Sequence, residues 1–305
     1  MSLAALLADG ARFDAEYRGG LSNHLPMALL ALQRLGAGDA RLAAFAAGYA
    51  KRLEPAPAAA VWPAGDAWPG RLGEREAWPA YRALFSEWLT HEDPEALLPQ
   101  ALPVLLPGCG AAAFHGLIRT AHAVQAGHAQ ELADGLAYWA CRYLALDGRP
   151  PAAEHGLIFE QMQQAAAKHG FDKAVDAVAI DAGTLERLAR ESATLYAASG
   201  DFTVLHLVTS AHALRVLLPF IDEPMAAAQA YARAWVAARK ACGARAGTPA
   251  AVLPWDELVA AALAADDEHL IKLVDSCREE ERAYGGGDWQ RAASRVVTAA
   301  RSAGR

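Results

Sequence analysis

Five histidines stand inside apolar, helix-patterned runs: His24 in LSNHLPMALLAL, His115 and His122 in AAFHGLIRTAHAV, and His206 and His212 in FTVLHLVTSAHALRVLLPF. A buried imidazole needs a hydrogen-bond or metal partner, because an unpaired polar group in an apolar core costs about 1–3 kcal/mol. Taken singly, each is more often a core histidine satisfied by a neighbouring carbonyl. As a group from different helices they are expected to meet, and neutral imidazole suits iron, zinc or copper. At about 100° per residue, His115, Arg119 and His122 fall within roughly 60° of one another on one helix face. His206 shares its face with Thr209, Ser210 and Ala213, whereas His212 points about 120° away and reads as structural. His269 and Lys272 form an i, i+3 pair that can converge.

Other chemistries lack their motifs. There is no HExxH, no ExxH pair of the di-iron kind, no G-x-S-x-G elbow, no P-loop and no GxGxxG turn, which removes the simplest routes to a zincin, a hydrolase or a nucleotide enzyme. Cys109, Cys141, Cys242 and Cys277 are far apart and form no CxxC, so neither a zinc knuckle nor a disulfide framework is expected, and reduced thiols in a cytoplasmic protein follow. The net charge is −7 with scattered Lys and Arg, which argues against nucleic acid. Asp9 and the lack of a basic start argue against a secretory signal, and no uninterrupted apolar run reaches the roughly 20 residues of a membrane span. The GGGD run at Gly285–Asp288 reads as a joint between helices, and CREEERAYG as a solvated helix face.

The elements that must carry these residues are helices. Alanine dominates a composition that is 54% hydrophobic but only 8% aromatic, a helix-forming mixture poor in β-branched residues. Apolar periodicity and Gly, Pro and cap signals predict helices over 23–35, 39–53, 76–90, from 94 until Pro103 breaks it, then 111–125, 129–146, 154–168, 184–198, 201–220, 224–245, 255–263, 268–283 and 289–302. The stretch near residues 54–75, with its prolines, glycines, Trp62 and Trp68, is a long loop. It is read either as a lid over an apolar cleft or, with somewhat more weight, as packed down on the core. The fold class is all-α, a single irregular multi-helix domain over 1–305, with DGRPP near 147–153 as the one candidate subdivision.

Four blocks in order, LSNHLPMALLALQRLGA, AFHGLIRTAHA, DFTVLHLVTSAHALR and DEHLIKLV, resemble the questin oxidase-like family over most of the chain. The resemblance implies a helical oxidoreductase that holds mononuclear non-haem iron (Fe2+) with several histidines and a carboxylated lysine. The substrates it implies are dioxygen and a small aromatic or polycyclic phenol or quinone, with NADPH as external reductant. Carried over by motif, the ligands are His24, His115, His206 and Lys272, with His122 or His269 as the further imidazole. Arg119 stands where fungal members carry a second histidine, and is offered as a partner for a substrate anion or as an ordinary ion pair. Lys272 has its own chemical logic: a desolvated lysine has a lowered pKa, and its neutral amine can add carbon dioxide to give an anionic carbamate. The plain alternative is a lysine neutralised by Asp266, Asp267 or Glu268. Tyr138, Trp139 and Tyr196 are core residues or the wall of an aromatic pocket. Two other functions stay open from sequence, a helical metal-dependent hydrolase and a non-catalytic helical binding protein.

Overall fold

Apolar periodicity becomes helix nearly everywhere it was expected. The computed structural model describes residues 1–65, 67–151, 156–244 and 251–303. In chain order these hold α1 (Leu3–Gly10), the hairpin β1 (Glu16–Tyr17) and β2 (Leu21–Ser22), α2 (Leu25–Leu35), α3 (Asp39–Ala50), α4 (Trp78–His91), α5 (Pro94–Leu105), α6 (His115–Ala126), α7 (Ala129–Cys141), α8 (Ile158–Ala166) and α9 (Phe171–Asp176). Then follow α10 (Thr184–Ser199), α11 (Phe202–Leu217), α12 (Pro224–Ala241), α13 (Trp255–Ala264), α14 (Glu268–Tyr284) and α15 (Asp288–Ala303). The protein is all-α, since the only sheet among the described residues is that antiparallel hairpin, with Glu16 opposite Ser22. The short helices α1 and α9 and the hairpin are additions to the sequence reading. Glu154 and Arg245, the predicted start of α8 and end of α12, lie outside the described residues.

Packing divides the chain into two units, one made of Met1–Ala56, Ala189–His212 and Ala244–Arg305, the other of Pro57–Leu188 and Ala213–Gly243. In the first, α14 packs on α2, α13 and α15, and α3 packs on α1 and α2. Helix α2 is buried from Leu25 to Leu32, and Gly36 closes it at φ 104°, a left-handed cap that suits glycine. Only Gln33 and Arg34 break its burial, and Arg34 Nε reaches Asp275 of α14 at 3.1 and 3.2 Å. His212 Nδ1 lies 2.8 Å from Glu280 Oε1, both side chains fully enclosed, which gives this imidazole the structural place that its helix face predicts.

In the second unit α7 packs on both α4 and α6, and α8 on α12. Helix α5 continues to Leu105 through Pro99 and Pro103 where a break is expected at Pro103. Its core face is Leu97, Leu98, Ala101, Leu102 and Leu105, whereas the prolines lie off that face, where water can take the carbonyls that proline leaves without a donor. In the loop after residue 54 the two tryptophans are held against α4 while most of the other described residues are exposed: Trp62 lies tilted on Tyr81 at 4.7 Å, Trp68 meets Phe85 at 5.5 Å, and Tyr81 Oη donates to the Trp68 carbonyl.

Helix α6 starts at His115, four residues later than predicted, because Ala112, Ala113 and Phe114 adopt φ of 46°, 56° and 68°. Left-handed backbone costs an L-residue roughly 1–2 kcal/mol, and alanine hides this from a sequence pattern because it reads as helix. Ala113→Gly should therefore raise stability by about 1 kcal/mol in urea denaturation, glycine adopting this region without the Cβ penalty; a loss of stability would contradict the strain.

Candidate metal centre

Three of the predicted residues are brought together at the starts of three helices of the first unit. His24 caps α2; its N–H donates to Tyr49 Oη of α3 at 3.2 Å, while Asn23 Oδ1 accepts from Leu25 N at 3.0 Å. The helix thus begins at Leu25, two residues later than predicted. His206 lies in the first turns of α11, with Nδ1 2.8 Å from the Phe202 carbonyl. A carbonyl only accepts, so Nδ1 carries the proton and Nε2 is the lone-pair nitrogen of this ring. His269 lies in the first turn of α14, where Asp267 Oδ1 accepts its N–H at 2.8 Å and that of Leu270 at 3.3 Å.

The rings meet edge to face. His24 and His269 have centroids 4.7 Å apart at 77°, and His206 and His269 are 5.8 Å apart at 69°. Between them stands a carboxylate. Glu268 Oε1 is 3.5 Å from His24 Nδ1 and 3.7 Å from His269 Nδ1, while Oε2 is 3.5 Å from Arg52 Nη1. One ligand atom each from His24, Glu268 and His269 fit within 4.8 Å of one another. Lys272, one turn after Glu268, is 1% exposed.

Burial sets the protonation states. It drives the His206 pKa down to about 3, with His269 and Lys272 adding to the effect, so the ring is neutral at any physiological pH. It also pulls Lys272 down to about 8, against the opposing pull of Glu268 and Asp267. At pH 7.5 roughly a quarter of such a lysine is the neutral, nucleophilic amine. Tyr49 is pushed up, by burial first and by Glu268 next, and stays a phenol.

His115, Arg119 and His122 belong to the second unit, where all three are buried on α6. His115 Nδ1 faces the Ala112 carbonyl, inside the left-handed turn. The Arg119 guanidinium pairs with both oxygens of Glu131 and lies 3.4 Å from Asp134, which is the ion pair the sequence offers as its ordinary role. Tyr138, Trp139 and Tyr196 are core residues. The candidate donor that sequence reasoning missed is Glu268, read only as a counter-charge for Lys272; its signal was the carboxylate standing directly before His269.

Helical architecture with an interior cluster of imidazoles, a carboxylate and a desolvated lysine defines the class. A family model described as Questin oxidase-like matches residues 21–194 and 173–277, and the chain belongs to that family. A comparison with curated proteins gives no match. The segment Phe202–Phe220 is long and apolar enough to cross a membrane by length and composition, although its 19 residues are interrupted by Thr203, His206, Thr209, Ser210, His212 and Arg215 and so form no uninterrupted apolar run. It is mostly buried within the protein and carries His206, as the core helix of a folded domain would.

Proposed function

We propose that this protein is a mononuclear non-haem iron oxidoreductase that uses dioxygen to oxidise an aromatic or polycyclic phenol or quinone, with NADPH as external reductant. Family membership supports the oxidoreductase class, and the observation that carries the metal reading is the convergence of His24, His269 and Glu268. Two imidazoles and one carboxylate are the donor set that suits ferrous iron with open positions. His269 Nε2 is buried without a hydrogen-bond partner among the described residues, an arrangement a metal would satisfy. Bound iron would supply dioxygen activation, the chemistry side chains lack.

The chain's own residues supply the rest. His206 presents a neutral ring whose Nδ1–H is anchored on a backbone carbonyl, the usual way to fix a ligand's orientation. Arg52 reaches the outer oxygen of Glu268 and holds the carboxylate in place. In Lys272 the neutral amine adds carbon dioxide to form a carbamate with release of one proton, which gives the site a second anionic oxygen donor. His115 and His122 stand as sequence-derived ligand candidates and Arg119 as a candidate for a substrate anion.

Metal analysis of protein purified without oxygen tests this reading. About one iron per chain is expected, lost in His24→Ala and His269→Ala; the same measurement on His115→Ala and His122→Ala decides whether either contributes. A 13C carbamate signal after growth in labelled bicarbonate, absent in Lys272→Met, tests the lysine. Protein that stays metal-free after reconstitution with iron would refute the proposal, and zinc with hydrolytic turnover would replace it with the hydrolase.

A further inference from the structure

The side chains of the cluster are buried except His269, which is 18% exposed, and two more exposed residues of different chemistry, Phe202 and Arg52, contact the cluster. Phe202 is 52% exposed, unusual for a large apolar side chain that is also in contact with polar rings. Its phenyl ring stands edge-on to His206 at 4.8 Å and 79°, and to His269 at 4.8 Å and 66°. Core packing does not account for a phenyl half in water. Its exposed surface is an apolar platform held beside the two imidazoles.

On the Glu268 side stands Arg52. Its guanidinium lies over the Tyr49 ring at 4.4 Å, and Nη1 is 3.5 Å from Glu268 Oε2. The side chain is 37% exposed, so part of its fork of N–H donors faces outward. Arginine stacked on an aromatic ring is held in one orientation and suits recognition of a carboxylate or phenolate oxygen. Contacts run without a gap from Phe202 through His269 and Glu268 to Arg52.

We propose that Phe202 and Arg52 form the mouth of this site and select a flat aromatic ring that bears an anionic oxygen, Phe202 stacking on the ring and Arg52 pairing with the oxygen. This rests on the cluster being the functional site and adds to it a charge preference: an anionic ring is taken before its neutral analogue. Both residues are substrate-binding groups, and neither needs to contact a metal to act.

Three probes separate the contributions: 2-naphthoate, the neutral 2-naphthylmethanol, and the anionic but non-aromatic cyclohexanecarboxylate, titrated calorimetrically into the full-length protein. Wild type should bind 2-naphthoate about tenfold more tightly than either other probe. Phe202→Ala should weaken both naphthyl compounds about tenfold while Phe202→Tyr retains them. Arg52→Gln should weaken 2-naphthoate about tenfold and change 2-naphthylmethanol less than about twofold. Equal binding of all three probes by wild type, or both variants within about twofold of it, overturns the proposal. Far-UV circular dichroism and metal content are read on every variant, so a misfolded protein is not mistaken for a lost contact, and Phe202→Tyr with Arg52→Lys supplies a second, milder pair. Iron lost in His24→Ala but probe binding indifferent to Phe202 and Arg52 leaves the metal centre standing and removes the mouth. Probe binding that needs both residues in a chain that never takes up iron does the reverse.

Discussion

Gly116→Ala is expected to cost roughly 3 kcal/mol or more of folding stability, although alanine in place of glycine inside a helix ordinarily gains about 1 kcal/mol. The reason is the crossing of α6 and α7. A Cβ on Gly116 would stand 2.6 Å from both Cα and Cβ of Trp139 and 2.9 Å from its Cγ. One turn along, a Cβ on Gly135 would stand 2.9 Å from Thr120 N and 3.0 Å from its Cα. Residues 116 and 120 of one helix therefore meet 135 and 139 of the other, an i, i+4 ridge against its counterpart, with a glycine on each side of the contact. Neither partner can move away cheaply. Trp139 is fully buried and its Nε1 donates to the Gly108 carbonyl at 3.3 Å, while Thr120 Oγ1 donates to the Gly116 carbonyl at 2.9 Å. Gly48→Ala is the control, since Gly48 lies exposed in α3 with nothing within 4 Å of its would-be Cβ. That change should show the ordinary gain, up to about 1 kcal/mol. Urea midpoints of the two variants should move in opposite directions; a stabilised Gly116→Ala would mean the helices do not touch as described.

This crossing also explains what was and was not legible in the sequence. The helices were, because apolar periodicity over α2, α6, α11 and α14 depends only on local spacing. In the AFHG block the histidine draws attention as chemistry, yet the glycine after it is required by packing against a tryptophan that no local pattern could pair with it. Ala112 and Ala113 read as helix by composition and adopt the left-handed region instead, a tertiary override that alanine conceals. For the site, the convergence of imidazoles was foreseeable in kind, and His24, His206 and His269 do meet. Glu268 was not foreseen as a candidate donor, because a glutamate at a helix start is ordinary and only the fold brings His24 Nδ1 to 3.5 Å from it. His115 and His122 stand on an equally apolar helix face, and a helix face alone cannot say which other helix it will meet.

The lysine that looks least suited to a core gives the other large effect. In metal-free protein, Lys272→Met should raise stability by about 3 kcal/mol at pH 7, because burial pulls the native ammonium pKa down to about 8 from the ordinary lysine value of 10.5. A group whose pKa is depressed on folding loses its proton more readily in the native state. Between pH 8 and about 10.5 the unfolded chain binds more protons, so wild-type stability from this group rises with pH across that window. Below pH 8 both states carry the proton and the full cost of the buried cation is present. Above about 10.5 neither does, and the cost is gone. The advantage of the methionine variant should therefore be constant below pH 8 and shrink to near zero by about pH 10.5. Methionine matches the length of the aliphatic stem and fills the same apolar volume, so packing changes do not mask the electrostatic term. Urea denaturation of chelator-treated protein in buffers free of carbon dioxide measures it. Equal stability of the two proteins at pH 7, or an advantage that persists unchanged to pH 10.5, would show that the ammonium is not desolvated. A stabilised variant that also fails to retain iron would separate the two demands on this position. A buried cation is a poor stability choice, and under the proposed function it is a stability cost of the kind functional sites carry.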